Sequence, residues 1–189
     1  MISAGISPAA HSLEMVVSMS VVAASQDAIA LRRMQPLDLP AVLKVQQRCY
    51  PPHLLESPEA LASRQQLSPD TCWVAASSGK LLGYLFAHPW RGETPPKLNV
   101  ELRQLPADAD TLFIHDLALH PDARGHGVAP RLVEQALRQA RQRGLRYTRL
   151  VAVEGAAPYW QRFGYRSYRI PGYGLGAYGD SAVSMQCLL

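Results

Sequence analysis

The chain reads as one α/β (α+β) domain in which about four helices flank a central, mixed but mostly antiparallel sheet of about six to seven strands. Three observations predict it. With 189 residues, 48% of them hydrophobic, the chain has enough apolar surface for a single core. Two apolar runs, Cys72 to Ala76 and Lys80 to His88, are separated by Ser77, Ser78 and Gly79, the spacing of a β-hairpin. From Thr111 to Val153 the chain then runs strand, Gly-rich loop, amphipathic helix, strand.

The elements follow in order. Ile29, Leu31 and Arg33 alternate as a first strand, and Pro36 to Leu39 announces a helix that runs to about Cys49, where Pro51 and Pro52 stop it. Ser57 as N-cap with Pro58 behind it opens a second helix to about Gln66. After the hairpin, Pro89 to Asp110 is rich in Pro, Gly and acidic residues and reads as a loop, with a short strand at Leu98 to Leu102. Thr111 to Leu119 is a buried strand. Pro130 to Arg143 carries Leu132, Val133, Ala136, Leu137 and Ala140 at helical spacing, and Gly144 ends it. Tyr147 to Val153 is the next strand, Ala157 to Phe163 a short helix, and Tyr165 to Ile170 and Ala182 to Leu188 are two closing strands. The domain spans residues 29–189, and residues 1–28 read as a disordered extension.

Composition excludes several functions. Charged residues are 18% of the chain and its apolar stretches are short, which disfavours both disorder and a membrane span. A formal charge of +4 suits an anionic ligand, but no nucleic-acid-binding module is present. Cys49, Cys72 and Cys187 are far apart and odd in number, so neither a disulfide framework nor a metal site is expected, and a reducing cytoplasm fits.

Chemistry concentrates between Thr111 and Glu134. Gly125, Gly127 and Ala129 let a diphosphate approach main-chain N–H groups, and the following helix directs the positive end of its dipole there. Pro130 suits the first turn of that helix. The mononucleotide P-loop pattern and the three-glycine dinucleotide fingerprint are both missing. By spacing alone the loop is either an anion site or a tight turn between packed elements.

The pattern R-x-x-G-x-A at Arg124, Gly127 and Ala129, preceded by Leu117-Ala-Leu-His-Pro and followed by a Leu-rich helix, resembles the coenzyme A binding motif of the GNAT acetyltransferases. The run Ala156 to Tyr165 is similar to that superfamily's second motif. The resemblance implies a GNAT-like domain whose central strands splay around acetyl-CoA as co-substrate. Main-chain groups of Leu117, Ala118 and Leu119 would pair with the pantetheine arm. The N–H groups of Arg124, Gly125, His126, Gly127, Val128 and Ala129 would hold the pyrophosphate, with Trp160 beside the cofactor.

The implied reaction is acetyl transfer to a primary amine by direct attack in a ternary complex, which needs a base for the amine. His115, just before the Leu-Ala-Leu segment, is the base candidate, and a histidine hydrogen-bonded within the sheet is the alternative. Phe113-Ile-His-Asp-Leu-Ala-Leu-His120 resembles the corresponding strand of arylalkylamine (serotonin-type) N-acetyltransferases, with Phe113 in place of a second histidine. On a regular strand Asp116 points away from His115. The family's usual acid, a tyrosine four residues before the second-motif glycine, is here Trp160. Tyr178 is the candidate replacement, with Tyr173 behind it. Tyr50, His53 and Trp90 are the expected lining of the acceptor site, the partner being a small-molecule amine such as an arylalkylamine or a polyamine. Two alternatives stand beside this reading: acetylation of peptide or protein N-termini, and a coenzyme A binding sensor without turnover. The expected assembly is a monomer or homodimer.

Overall fold

The computed structural model describes residues 28–189; the expected N-terminal extension lies outside the described residues, apart from its last position. Seven strands form one sheet in the order β1-β2-β3-β4-β5-β7-β6. They are β1 (Ala30–Arg33), β2 (Trp73–Ser77), β3 (Lys80–Trp90), β4 (Thr111–Leu119), β5 (Tyr147–Ala152), β6 (Arg166–Ser167) and β7 (Val183–Leu188). Only β4 and β5 pair in parallel; the other neighbours are antiparallel. The helices are α1 (Leu39–Cys49), α2 (Pro58–Leu67), α3 (Val128–Gln142) and α4 (Ala157–Gln161).

The sheet is covered on both faces. Val42 and Val45 of α1 and Leu61 of α2 pack with Val74, Tyr84, Phe86 and Ala118. Leu132, Val133, Ala136 and Ala140, which line one side of α3, pack with Leu85, Ala87, Leu112, Ile114 and Leu150 on the other face, together with Trp160 of α4. Buried strands with both faces covered read as continuous apolar runs, which is why Leu81 to Ala87 shows no alternation.

Three expectations change. Leu98 to Leu102 forms no strand; side chains from several elements hold this stretch instead of a neighbouring strand. The strand from Tyr165 to Ile170 shrinks to Arg166–Ser167, because β6 pairs with β7 at only two positions. Helix α3 starts two residues earlier than expected, so Pro130 sits third in its first turn, where its missing N–H still costs no helical bond.

Candidate active site

The site is made by two irregularities of β4. The first is a β-bulge: Asp116 faces Phe86 and Ile114 faces Ala87, so His115 has no partner residue on β3. An extra residue turns the side chains beyond it to the other face. His115 and Asp116 therefore lie on the same side of the sheet, the side of α1 and α2, contrary to the alternation expected of a regular strand. The second is a splay. β4 pairs with β5 only from Thr111 to Phe113, although both strands continue, to Leu119 and Ala152. Beyond Phe113 the strands part around a cleft of about 120 Å³ lined by Ile114, His115, Asp116, Leu117, Leu150, Val151, Ala156, Tyr159, Trp160 and Tyr50.

His115 Nε2 lies 2.6 Å from Glu56 Oε1, and both side chains are almost fully buried. Glu56 stands between α1 and α2, and its other oxygen accepts the Asn99 N–H at 2.7 Å and faces Arg64 at 3.5 Å. Arg64 is itself buried and ties Lys97 and Val100 carbonyls to the helix, at 3.2 and 2.9 Å. Burial opposes ionisation of Glu56, but the charge and hydrogen bond of His115 and the Arg64 guanidinium outweigh it and hold the carboxyl down at about 2. An ionised carboxylate only accepts hydrogen bonds, so Nε2 of His115 carries the hydrogen and Nδ1 of the neutral ring is a free base. That nitrogen is buried without a hydrogen-bond partner among the described residues.

Asp116 forms a second buried centre. Its two oxygens each accept a tyrosine hydroxyl, from Tyr50 and from Tyr84, both at 2.7 Å. Burial raises its carboxyl to about 6, against the opposing effect of the two phenols. Tyr50 also reaches the carbonyl of Leu117 at 2.9 Å, and the thiol of Cys49 reaches that of Leu119 at 3.1 Å. The end of α1 is thereby fastened to the free side of β4, and each carbonyl keeps a second lone pair.

A smaller cavity of about 40 Å³ adjoins this wall, lined by Tyr50, Leu54, Glu56, Leu98, His115, Asp116, Val151, Val153 and Tyr178. Tyr50, His115, Asp116 and Val151 line both spaces. The Gly-rich loop lies at the start of α3. Gly125 and Gly127 have φ of +81° and +67°, and a Cβ on either would meet no atom within 4 Å. They are therefore needed for backbone conformation and leave open space in front of the main chain. The first bond of α3 runs from the Arg131 N–H to Gly127 O at 3.4 Å, so the N–H groups of Val128 and Ala129 have no helical acceptor. This cradle fits a pyrophosphate.

The remaining candidates are distributed as follows. Trp160 is buried in the core against Tyr159 and Tyr165 and touches the cleft with one side. Tyr178 lines the smaller cavity, but its hydroxyl donates to Pro96 O at 2.7 Å and burial raises its pKa, so its hydrogen is already engaged. His53 is exposed and lies against Gly179. Trp90 closes β3 and donates to Thr94 O at 2.8 Å. His53 and Trp90 line neither of the two cavities. His126 and Arg124 are exposed in the loop. His120 caps a short 3-10 turn, its Nδ1 accepting the Asp122 N–H at 3.3 Å. Glu56, Arg64 and Tyr84 had no role in the reading of the sequence: no local pattern links Glu56 to a histidine 59 positions later.

A parallel pair of strands that parts over a cleft, beside a glycine-rich loop opening a helix, defines a coenzyme A dependent acyltransferase. The family model described as the acetyltransferase (GNAT) family matches residues 39–165. Solved structures share the fold. A GNAT-like decarboxylase, GphF, in complex with isobutyryl-CoA is 22% identical, with a TM-score of 0.68, covering 84% of this chain and 98% of its own. Ard1 from Thermoplasma volcanium is 17% identical, with a TM-score of 0.64 over 86% and 98% of the two chains. The ribosomal-protein-S18-alanine N-acetyltransferase from Escherichia coli is 17% identical, with a TM-score of 0.61 over 85% and 94%. No curated protein sequence matches. The chain belongs to the GNAT acetyltransferase family, and acetyl-CoA is its co-substrate.

Proposed function

We propose that the protein transfers the acetyl group of acetyl-CoA to the primary amine of a small molecule, by direct attack within a ternary complex. The observation that carries this reading is the Glu56–His115 pair, buried in the wall common to the cleft and the smaller cavity. The N–H groups from Arg124 to Ala129 hold the pyrophosphate, and main-chain groups of Leu117 to Leu119 that β5 leaves unpaired meet the pantetheine arm. The thioester then lies in the cleft and the amine in the smaller cavity.

An amine reaches the site as an ammonium ion, and the carboxylates of Glu56 and Asp116 favour its entry. It must lose a proton before attack. His115 takes that proton at Nδ1, and Glu56 holds the resulting imidazolium at Nε2. The C–N bond forms as the C–S bond breaks, and the thiolate leaves on its own acidity, a thiol pKa being near ~8.5. This assigns Tyr178 to the wall of the acceptor cavity rather than to acid catalysis. The narrow cavity between Tyr50, Leu54, Leu98 and Tyr178 supports a small amine over a polypeptide, which needs an open groove.

The test is thiol release from acetyl-CoA with a panel of arylalkylamines, polyamines, amino acids and short peptides, for the wild type and His115→Ala. Turnover of small amines that His115→Ala lowers by at least about 100-fold is expected. Turnover of peptides alone overturns the acceptor class, and cofactor binding without any turnover overturns the chemistry.

A further inference from the structure

A second histidine lies beside the first, out of reach of any reading along the strand. His88 on β3 sits directly opposite Phe113, on the same sheet face as His115. The two imidazole rings are 6.1 Å apart, and His88 is completely buried. Nδ1 of His88 lies 3.1 Å from the carbonyl of Pro89. A carbonyl only accepts, so Nδ1 carries the hydrogen and Nε2 is a bare acceptor. The tautomers of both rings thus follow from their outer bonds, and each ring keeps one basic nitrogen, Nε2 of His88 and Nδ1 of His115. Both nitrogens are buried, and neither has a hydrogen-bond partner among the described residues.

Buried acceptors of this kind are normally satisfied. Neither ring can satisfy the other, since both free nitrogens are acceptors. The spacing also excludes a direct bond, which would bring ring centres to about 5 Å. A single donor with two hydrogens satisfies both at once, and the separation suits one water molecule. We infer that His88 is a positioning residue: with His115 it fixes one water molecule, through which the acceptor amine passes its proton to His115. The inference rests on the amine acetyltransferase reading above.

The step balances. The water gives one hydrogen to His115 Nδ1 and takes the amine's proton, its other hydrogen remaining on His88 Nε2. Meanwhile the amine nitrogen bonds the acetyl carbon and the C–S bond breaks. The products are the amide, the thiolate and an imidazolium held by Glu56. His88 stays neutral throughout. Burial, reinforced by His115 nearby, lowers its pKa to about 3, so it holds the water without competing for the proton. The charged and titratable groups around the two rings are Glu56, between α1 and α2, Arg64 on α2, Asp116 on β4 and Tyr178 in the last connection.

The test compares His88→Phe, which keeps an aromatic ring between Trp90 and Phe113, with His88→Gln, whose amide oxygen reaches the position of Nε2. Two readouts are used: steady-state kinetics on the best amine, and 15N NMR of the His115 ring. The expected result is that His88→Phe lowers kcat by about 10 to 30-fold with KM for amine and acetyl-CoA within about 2-fold, while His88→Gln recovers to within about 3-fold of wild type. The Nδ1 signal of His115 should report a hydrogen-bonded acceptor in the wild type and in His88→Gln and lose that character in His88→Phe. A His115 Nδ1 signal indifferent to His88→Phe overturns the inference, as does a His88→Gln protein that melts like wild type yet is as slow as His88→Phe. The NMR arm needs no acceptor, so absence of amine turnover would count against the proposed function and not against this water site.

Discussion

Replacing Asp116 by asparagine should stabilise the protein at alkaline pH and leave it nearly unchanged near pH 4. The carboxyl is raised from its ordinary 3.8 to about 6 by burial. The folded state therefore binds its proton more tightly than the unfolded chain does. Stability from this group is fully present below about pH 3.8 and is lost as pH rises through about 6. About two pH units at ~1.4 kcal/mol each make this loss about 3 kcal/mol, an order-of-magnitude figure. Asparagine is isosteric and uncharged, so it escapes that loss. It can also keep the network: its oxygen accepts the Tyr84 hydroxyl, and its amide donates to Tyr50, whose own hydrogen still has Leu117 O at 2.9 Å. Urea unfolding of both proteins at pH 4 and pH 8 measures the effect, with equal m-values as the condition for comparison. The stability difference between variant and wild type should move in favour of Asp116→Asn by about 2 to 3 kcal/mol between the two pH values. A difference independent of pH, or one that moves the other way, refutes the electrostatic argument.

Further outcomes follow from the same geometry. Glu56→Gln should lower kcat about 100-fold in the thiol-release assay with KM for acetyl-CoA within about 2-fold, because His115 loses the carboxylate that sets its tautomer. Glu56 is depressed from 4.5 to about 2, so its contribution to stability is present above about pH 4.5 and disappears as pH falls toward 2. The acid branch of the wild-type stability curve should therefore be steeper than that of Glu56→Gln, as measured by unfolding at a series of pH values. Gly127→Glu places a carboxylate where the pyrophosphate is expected, and calorimetry should show coenzyme A affinity falling at least about 100-fold. Gly127→Ala isolates the backbone effect at φ +67°, which should cost about 1 kcal/mol in denaturant unfolding. Arg149→Lys should destabilise by about 2 to 3 kcal/mol, because one lysine cannot replace a guanidinium that binds Gly92 O, the Thr111 hydroxyl and Gln186 together.

Local patterns were enough for most elements. Helix α1 occupies the predicted Leu39 to Cys49, since prolines stop it, and α2 follows its Ser57 cap, whose hydroxyl accepts the Ala60 N–H at 3.2 Å. Strand β4 occupies the predicted Thr111 to Leu119. The Gly-rich loop was legible too, because positive φ demands glycine at Gly125 and Gly127 wherever the fold places them. The strand expected at Leu98 to Leu102 was misread because an apolar pattern does not reveal whether a neighbouring strand exists to pair with it.

What the sequence determined by itself is the order of strands and helices, the anion cradle and the position of one histidine ahead of Leu117. These depend on residues close in the chain, through spacing, capping and backbone freedom. The tertiary structure alone decided which groups act with that histidine. A one-residue bulge, invisible without the register of β3, turned Asp116 to the same face as His115. Folding brought Glu56 to His115 across 59 positions, and sheet pairing set His88 opposite Phe113. Pairings of this kind arise from long-range packing, in which each partner alone is an ordinary polar residue and only their common burial makes them a site.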